Sequence, residues 1–133
     1  MHTLYGIWID HRHAFIIKAS PMGEMSMKNF MSDVEPHNHG GESEEHLAVV
    51  NQQRHMERRK NDMKAFSREL IAEIMDADEL VIFGPGTAKH DLHHEVEDHK
   101  VLNEKLKGVE TTDELTEAEM KDFVKNYFKL PRA

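Results

Sequence analysis

The run ELVIFGP, residues 79–85, decides the fold. Leu80, Val81, Ile82 and Phe83 follow one another with no polar residue between them. A strand that is half solvated alternates; a continuous apolar run marks one buried on both faces, as in a parallel sheet sandwiched by helices. The residues downstream agree. GTAKHDLHHEVEDHK (86–100) sets Ala88, Leu92 and Val96 at helical spacing, and the spacing predicts a helix over 86–100. LKGVET (106–111) then reads as a short strand. A strand–helix–strand passage of this kind implies parallel pairing through a crossover.

Upstream, three runs read as strands: LYGIWID (4–10), HAFIIKA (13–19) and EMSMKNFMS (24–32). They are joined by the short turns DHR and SPMG, the second with Pro21 and Gly23 as breakers, so an antiparallel meander is expected. A polar loop (33–43) carries Pro36, Gly40 and Gly41. A helical run extends from Ser43 or Glu44 to about Met75. Its second half has the apolar stripe Met63, Phe66, Leu70, Ile71 and Ile74; between Val50 and Met63 only Met56 is strongly apolar. The second half is therefore expected to pack on the sheet and the first half to project, on a helix roughly 45–50 Å long at 1.5 Å per residue. TEAEMKDFVKNYF (116–128) predicts a last helix opening on a capping box, Thr116 with Glu119, and burying Met120, Phe123, Val124 and Phe128. Trp8 and Phe15 are expected in the core. So are the methionines, although Met22, Met25, Met27 and Met31 could instead form an adaptable contact surface.

The order is thus β-β-β-α-β-α-β-α, an α/β mixed five-stranded sheet with helices on its faces, a long projecting helix, and one domain over 1–133. That is the ribonuclease H-like arrangement. A chain of 133 residues buries a core without staples. It has no cysteine, which excludes disulfides and thiolate metal sites and fits a reducing compartment. No apolar run approaches the ~20 residues that cross a bilayer, and the start MHTLYGIWID lacks a signal-peptide pattern. A soluble cytoplasmic protein with no membrane partner is expected.

The formal net charge of −8 argues against binding nucleic acid over the whole surface. The charge is uneven. Residues 51–68 hold Arg54, Arg58, Arg59, Lys60, Lys64 and Arg68 against Glu57 and Asp62, a balance of +4, which leaves −12 on the remainder. A basic patch on an acidic body points to a local contact with an anionic partner; a solvated face with i,i+4 ion pairs is the plainer alternative.

Several groups carry candidate chemistry. Gly84, Pro85, Gly86 and Thr87 could hold an anion at a helix N-terminus, with Lys89 assisting; the alternative is a tight strand-to-helix turn. Asp10 ends the first strand. It could bind Mg²⁺ as in a nuclease, but no second carboxylate lies in LVIFGPG, and a turn that bonds its own backbone explains it better. His37, His39 and His46 in the loop could bind zinc or nickel but match no known spacing. His90 and His94 lie four apart on one helix face, with His93 beside them, and could share a metal; a polar helix surface is the plainer alternative, so no metal or other cofactor is expected. An exposed edge at the first or third strand could pair between chains to give a homodimer.

Three segments in order carry a resemblance. HNHGGESEEHLAVVNQQRHMERRKN, VIFGPGTAKHDLHHEV and GIWIDHRHAFI resemble the middle domain of archaeal and eukaryotic class one peptide release factors and of Pelota, and the chain looks like one of the small bacterial relatives of that domain. The resemblance implies a translational role with the ribosome, its RNA or tRNA as partner. It also implies that Gly40, Gly41 and Glu42 form the tip that stands where the release factors carry Gly-Gly-Gln and promote peptidyl-tRNA hydrolysis, with Arg54, Arg58, Arg59, Lys60 and Lys64 as the RNA-binding helix face. Glycines let the backbone approach RNA closely, and the next residue's N–H can aim at a developing oxyanion. Glu42 in place of Gln sets a carboxylate beside that negative charge, so ribosome binding in rescue or stress is expected ahead of codon-directed hydrolysis. A metal-dependent nuclease using Asp10 and a protein-interaction module without RNA are the alternatives.

Overall fold

The computed structural model describes residues 2–32 and 63–131. Five strands form one mixed sheet: β1 (Leu4–Ile9), β2 (His13–Ala19), β3 (Met25–Met31), β4 (Glu79–Gly84) and β5 (Leu106–Thr111), in the spatial order β3-β2-β1-β4-β5. The first three pair antiparallel, and β1–β4 and β4–β5 pair parallel. Helix α1 is described over 63–73. After it along the chain come α2 (Ala88–Glu97), α3 (Lys100–Lys105) and α4 (Glu117–Phe128). The expected strands, their pairing senses and the α/β class hold.

Two expectations are corrected. The helix expected over 86–100 ends at Glu97, and a separate short helix, α3, precedes β5. Between them His99 takes an extended conformation (φ −108°, ψ 91°) that redirects the chain so that Leu102 reaches the core. The first strand is not an edge: β1 is the middle strand of the sheet, and β3 and β5 are the edges. The loop 33–43 and the first half of the long helix lie outside the described residues.

Both faces of β4 are buried, as its composition demands. Leu80 and Ile82 join Tyr5, Ile7 and Ile9 under α1 and α2, where Phe66, Leu70, Ile74, Leu92 and Val96 close the layer. Val81 and Phe83 join Leu4, Trp8 and Ile17 under α4, through Met120 and Val124. The apolar stripe of α1 is buried throughout. Trp8 and Phe15 oppose each other on β1 and β2 with rings edge to face, 5.9 Å apart. The methionines divide: Met63 and Met120 are core, Met25 and Met27 are half-buried, and Met22 and Met31 are exposed. Those of β3 stand on an edge strand, which no second neighbour covers among the described residues.

The capping box of α4 forms. The Glu119 N–H donates to Thr116 Oγ1 at 3.2 Å, and the Thr116 N–H donates to Glu119 Oε1 at 2.8 Å. Thr116→Ala is expected to cost about 1 kcal/mol in urea denaturation.

Asp78 clips β1 to β4. The Thr3 N–H donates to its Oδ2 at 2.6 Å, and the Asp78 N–H donates to the Thr3 carbonyl at 2.8 Å. The first of these bonds holds the Asp78 carboxyl below the usual range, with His2 adding to the effect. A carboxyl lowered in the fold stabilises it above the unfolded value, about 3.9, and loses that contribution as pH falls through the folded value. Asp78→Asn is therefore expected to flatten the acid limb of the thermal midpoint plotted against pH. An acid limb identical to wild type would show that the clip does not couple to folding.

Candidate functional site

The carboxyl ends of β1 and β4 bring two turns together. The first is Asp10–His13. Asp10 Oδ1 accepts from the N–H groups of Arg12 at 2.8 Å and His13 at 2.7 Å, and the Asp10 N–H donates to the His13 carbonyl at 2.9 Å. The carboxylate is thus engaged by its own backbone, as the turn reading required. Among the described residues, no three His, Asp or Glu side chains converge to hold a metal ion.

The second turn is Gly84–Lys89. Gly84 has φ +149°, and a β-carbon there would overlap the carbonyl oxygen of Ile9 on the adjacent strand. Close approach of the two parallel backbones therefore requires this glycine. Gly86 has φ +64° with open space around it, so its requirement is conformational. Thr87 is the N-cap of α2, and its hydroxyl makes no capping bond. That hydroxyl instead lies 3.5 Å from His11 Nε2, which links the two turns. Lys89 is buried, and its ammonium donates to the Gly86 carbonyl, closing the turn from beneath. The chain beyond β5 seals the same end, where the Thr112 N–H donates to the Gly84 carbonyl at 3.1 Å.

The segment with the remaining candidates joins the described body here. β3 arrives at this end, and the Ser32 N–H donates to the Arg12 carbonyl at 2.8 Å. The residues after α1 lie at the opposite end, where Tyr5 donates its hydroxyl to Asp76 Oδ1 at 2.7 Å; burial and that bond push the Tyr5 phenol well above its ordinary range. Eleven helical residues at 1.5 Å each, about 16 Å, then set the start of α1 at the Asp10 and Gly84 end.

Of the predicted RNA-binding residues, Lys64 is described and exposed in the first turn of α1. Arg54, Arg58, Arg59 and Lys60 lie outside the described residues, as do Gly40, Gly41, Glu42 and the loop histidines. Gly84, Gly86, Thr87 and Lys89 are brought together, with the Lys89 side chain directed inward. On α2, His93 and His94 each approach Glu97 at 3.7 Å. Sequence reasoning missed the buried Glu95, whose Oε1 receives Arg68 Nε at 3.2 Å across α1 and α2. No local pattern announces it, because only helix packing buries that position.

A groove of about 520 Å³ lies at the other end of the sheet, lined by Leu4, Glu79, Lys107, Tyr127 and Lys129 among others. Burial, and secondarily the Glu110 charge, push the Tyr127 phenol up.

A scan against protein-family models finds no match, and a search of curated proteins finds none. Among solved structures, the chain is similar to the archaeal translation termination factor aRF1, at 16% identity and a TM-score of 0.45, over 96% of this chain and 39% of that one. It is also similar to the Aquifex aeolicus Ppx/GppA phosphatase in its type II variant, at 12% identity and a TM-score of 0.37, over 85% of this chain and 36% of that one. The chain spans about two fifths or less of these neighbours. Likeness of this degree carries no argument about chemistry.

Proposed function

We propose that the protein is a translation-associated factor that binds the ribosome or tRNA through the segment between Ser32 and Met63. One observation favours this reading above the alternatives. Both ends of that segment meet the sheet at the carboxyl ends of β1 and β4, the side on which open α/β sheets take ligands. The run 51–68 puts +4 on a chain of −8, so the local charge suits a phosphate backbone where the rest of the surface repels it.

Arg54, Arg58, Arg59, Lys60 and Lys64 supply the electrostatic contact, and Gly40, Gly41 and Glu42 the tip. The N–H groups at the start of α2, which helix geometry leaves without intrahelical partners, add an anion-binding turn beside Gly84, Gly86 and Thr87; Lys89 serves that turn structurally. On this reading the sheet is the ribonuclease H-like variant, and the chain is a small relative of the release-factor and Pelota middle domain, acting in the cytoplasm. The Glu42 carboxylate opposes a developing oxyanion, which favours binding without codon-directed hydrolysis.

Co-sedimentation with ribosomes over a salt series tests this. Five phosphate contacts predict a slope of log affinity against log salt of about −3.5 to −4.5. Wild type is expected to pellet at low salt and to be released at high salt, and the variant R54E/R58E/R59E to stay in the supernatant throughout. Wild type that never pellets at low salt, or a variant that pellets like wild type, defeats the reading. A peptidyl-tRNA hydrolysis assay comparing wild type with Glu42→Gln then separates binding from catalysis.

A further inference from the structure

Among the described residues, the edge strand β3 has a pairing surface that no other strand uses and that is complementary to itself. It spans seven residues, contains no proline and keeps an unbroken register with β2 from His13↔Met31 to Ala19↔Met25. Edge strands are ordinarily protected from pairing by shortness, proline, bulges or charge. The other edge, β5, sits beside a register shift at Leu80/Val81. β3 has none of these devices except one charge, Lys28. That charge is answered within the chain, because Lys28 Nζ lies 3.2 Å from Glu73 Oε1 on α1.

We infer that two copies of this chain associate through β3, antiparallel about a two-fold axis at Lys28, to form a continuous ten-stranded sheet. The axis stands perpendicular to the sheet, so each face of β3 meets the same face of its copy. On the α4 side, Met25 then opposes the copy's Met31, and Met27 opposes the copy's Asn29. This covers Met31, which is 65% exposed in the single chain, and the half-buried Met25. On the α1 side, Ser26 opposes the copy's Phe30, and Lys28 opposes its own counterpart. Two lysines facing each other across a strand pair destabilise it. Here each is flanked by Glu73, so the axis carries an alternating quartet, Glu73–Lys28–Lys28–Glu73, with no net charge. The exposure of both side chains, 70% for Lys28 and 38% for Glu73, leaves them reachable from the second copy. This inference is independent of the ribosome reading, since it uses only described residues on the β3 edge.

Analytical ultracentrifugation over a range of protein concentrations reads the mass, against 15.5 kDa for one chain. Wild type is expected to double that mass as concentration rises. K28E places four carboxylates on the axis and is expected to remain a single chain, with a thermal midpoint close to wild type because the side chain is exposed. The charge swap K28E/E73K restores the alternation and is expected to restore the dimer. Because the chain has no cysteine, register can be read by cross-linking. Residues directly opposed across strands have β-carbons about 4.5–5.5 Å apart, so K28C is expected to form an inter-chain disulfide on oxidation, and S26C, which faces Phe30 of the copy, is not. A single-chain mass at every concentration overturns the proposal. So does a dimer that K28E leaves intact, or S26C cross-linking as readily as K28C.

Discussion

Gly84→Val is expected to destabilise the protein by about 3–5 kcal/mol, combining backbone strain with a forced separation of packed strands. In a domain of this size that corresponds to a fall of ~10 °C or more in the unfolding midpoint. The cause is local and double. Gly84 holds φ +149°, which a β-branched residue resists, and any β-carbon there overlaps the Ile9 carbonyl oxygen. Relief requires β4 to move away from β1 where the two turns meet, so the start of α2 moves with it. Gly86→Ala provides the control. That position has φ +64° with nothing near the added carbon, so only the left-handed backbone penalty applies, roughly 1–2 kcal/mol. The single tryptophan, Trp8, reports both transitions by fluorescence. Equal losses for the two variants would falsify close strand approach as the reason for Gly84.

Phe83→Ala is expected to cost about 3–5 kcal/mol, the range for a large aromatic removed from a core. Phe83 is fully buried, and its ring stacks on Phe123 of α4 at 4.1 Å and 16°. Phe123 in turn lies 5.9 Å from Tyr127. Removing Phe83 empties the floor of this aromatic row, and α4 loses its stacking contact with β4. The expected signs are a red shift of Trp8 emission, since Trp8 shares the cluster, and earlier proteolytic cleavage near α4. Phe83→Leu keeps most of the volume and should lose less than half as much. A loss under about 1 kcal/mol for the alanine variant would mean that α4 is held by Met120 and Val124 alone.

The ribosome and dimer experiments concern separate surfaces. Glutamates at Arg54, Arg58 and Arg59 leave β3 untouched, and K28E leaves the basic run intact. Failure of one therefore says nothing against the other.

The sequence by itself determined the elements whose causes are local. Burial on both faces wrote β4 as an unbroken apolar run. The 3.6-residue period placed the stripe of α1. Thr116 and Glu119 announced the start of α4 because a capping box needs only neighbours, and Asp10 announced its turn for the same reason. The glycines of the 84–89 turn were legible as a turn, since their backbone needs are set within a few residues.

Tertiary structure decided the rest. The break at His99 has no glycine or proline to mark it; it exists because Leu102 must reach a core that other segments build. Glu95 reads as a polar helix position and is buried only because α1 crosses it with Arg68. The Lys89 side chain turned inward because the Gly86 carbonyl lay within its reach. Strand order made β1 central and β3 an edge, and so left Met31 exposed rather than in the core. For the candidate site, the sequence supplied the residues of each turn. Only the parallel pairing of β1 with β4, a contact between strands some seventy residues apart, brought Asp10–His13 beside Gly84–Lys89 and set Ser32 and Met63 at the same end of the sheet. Pairing at that separation depends on packing shared by the whole chain, and no local window contains it.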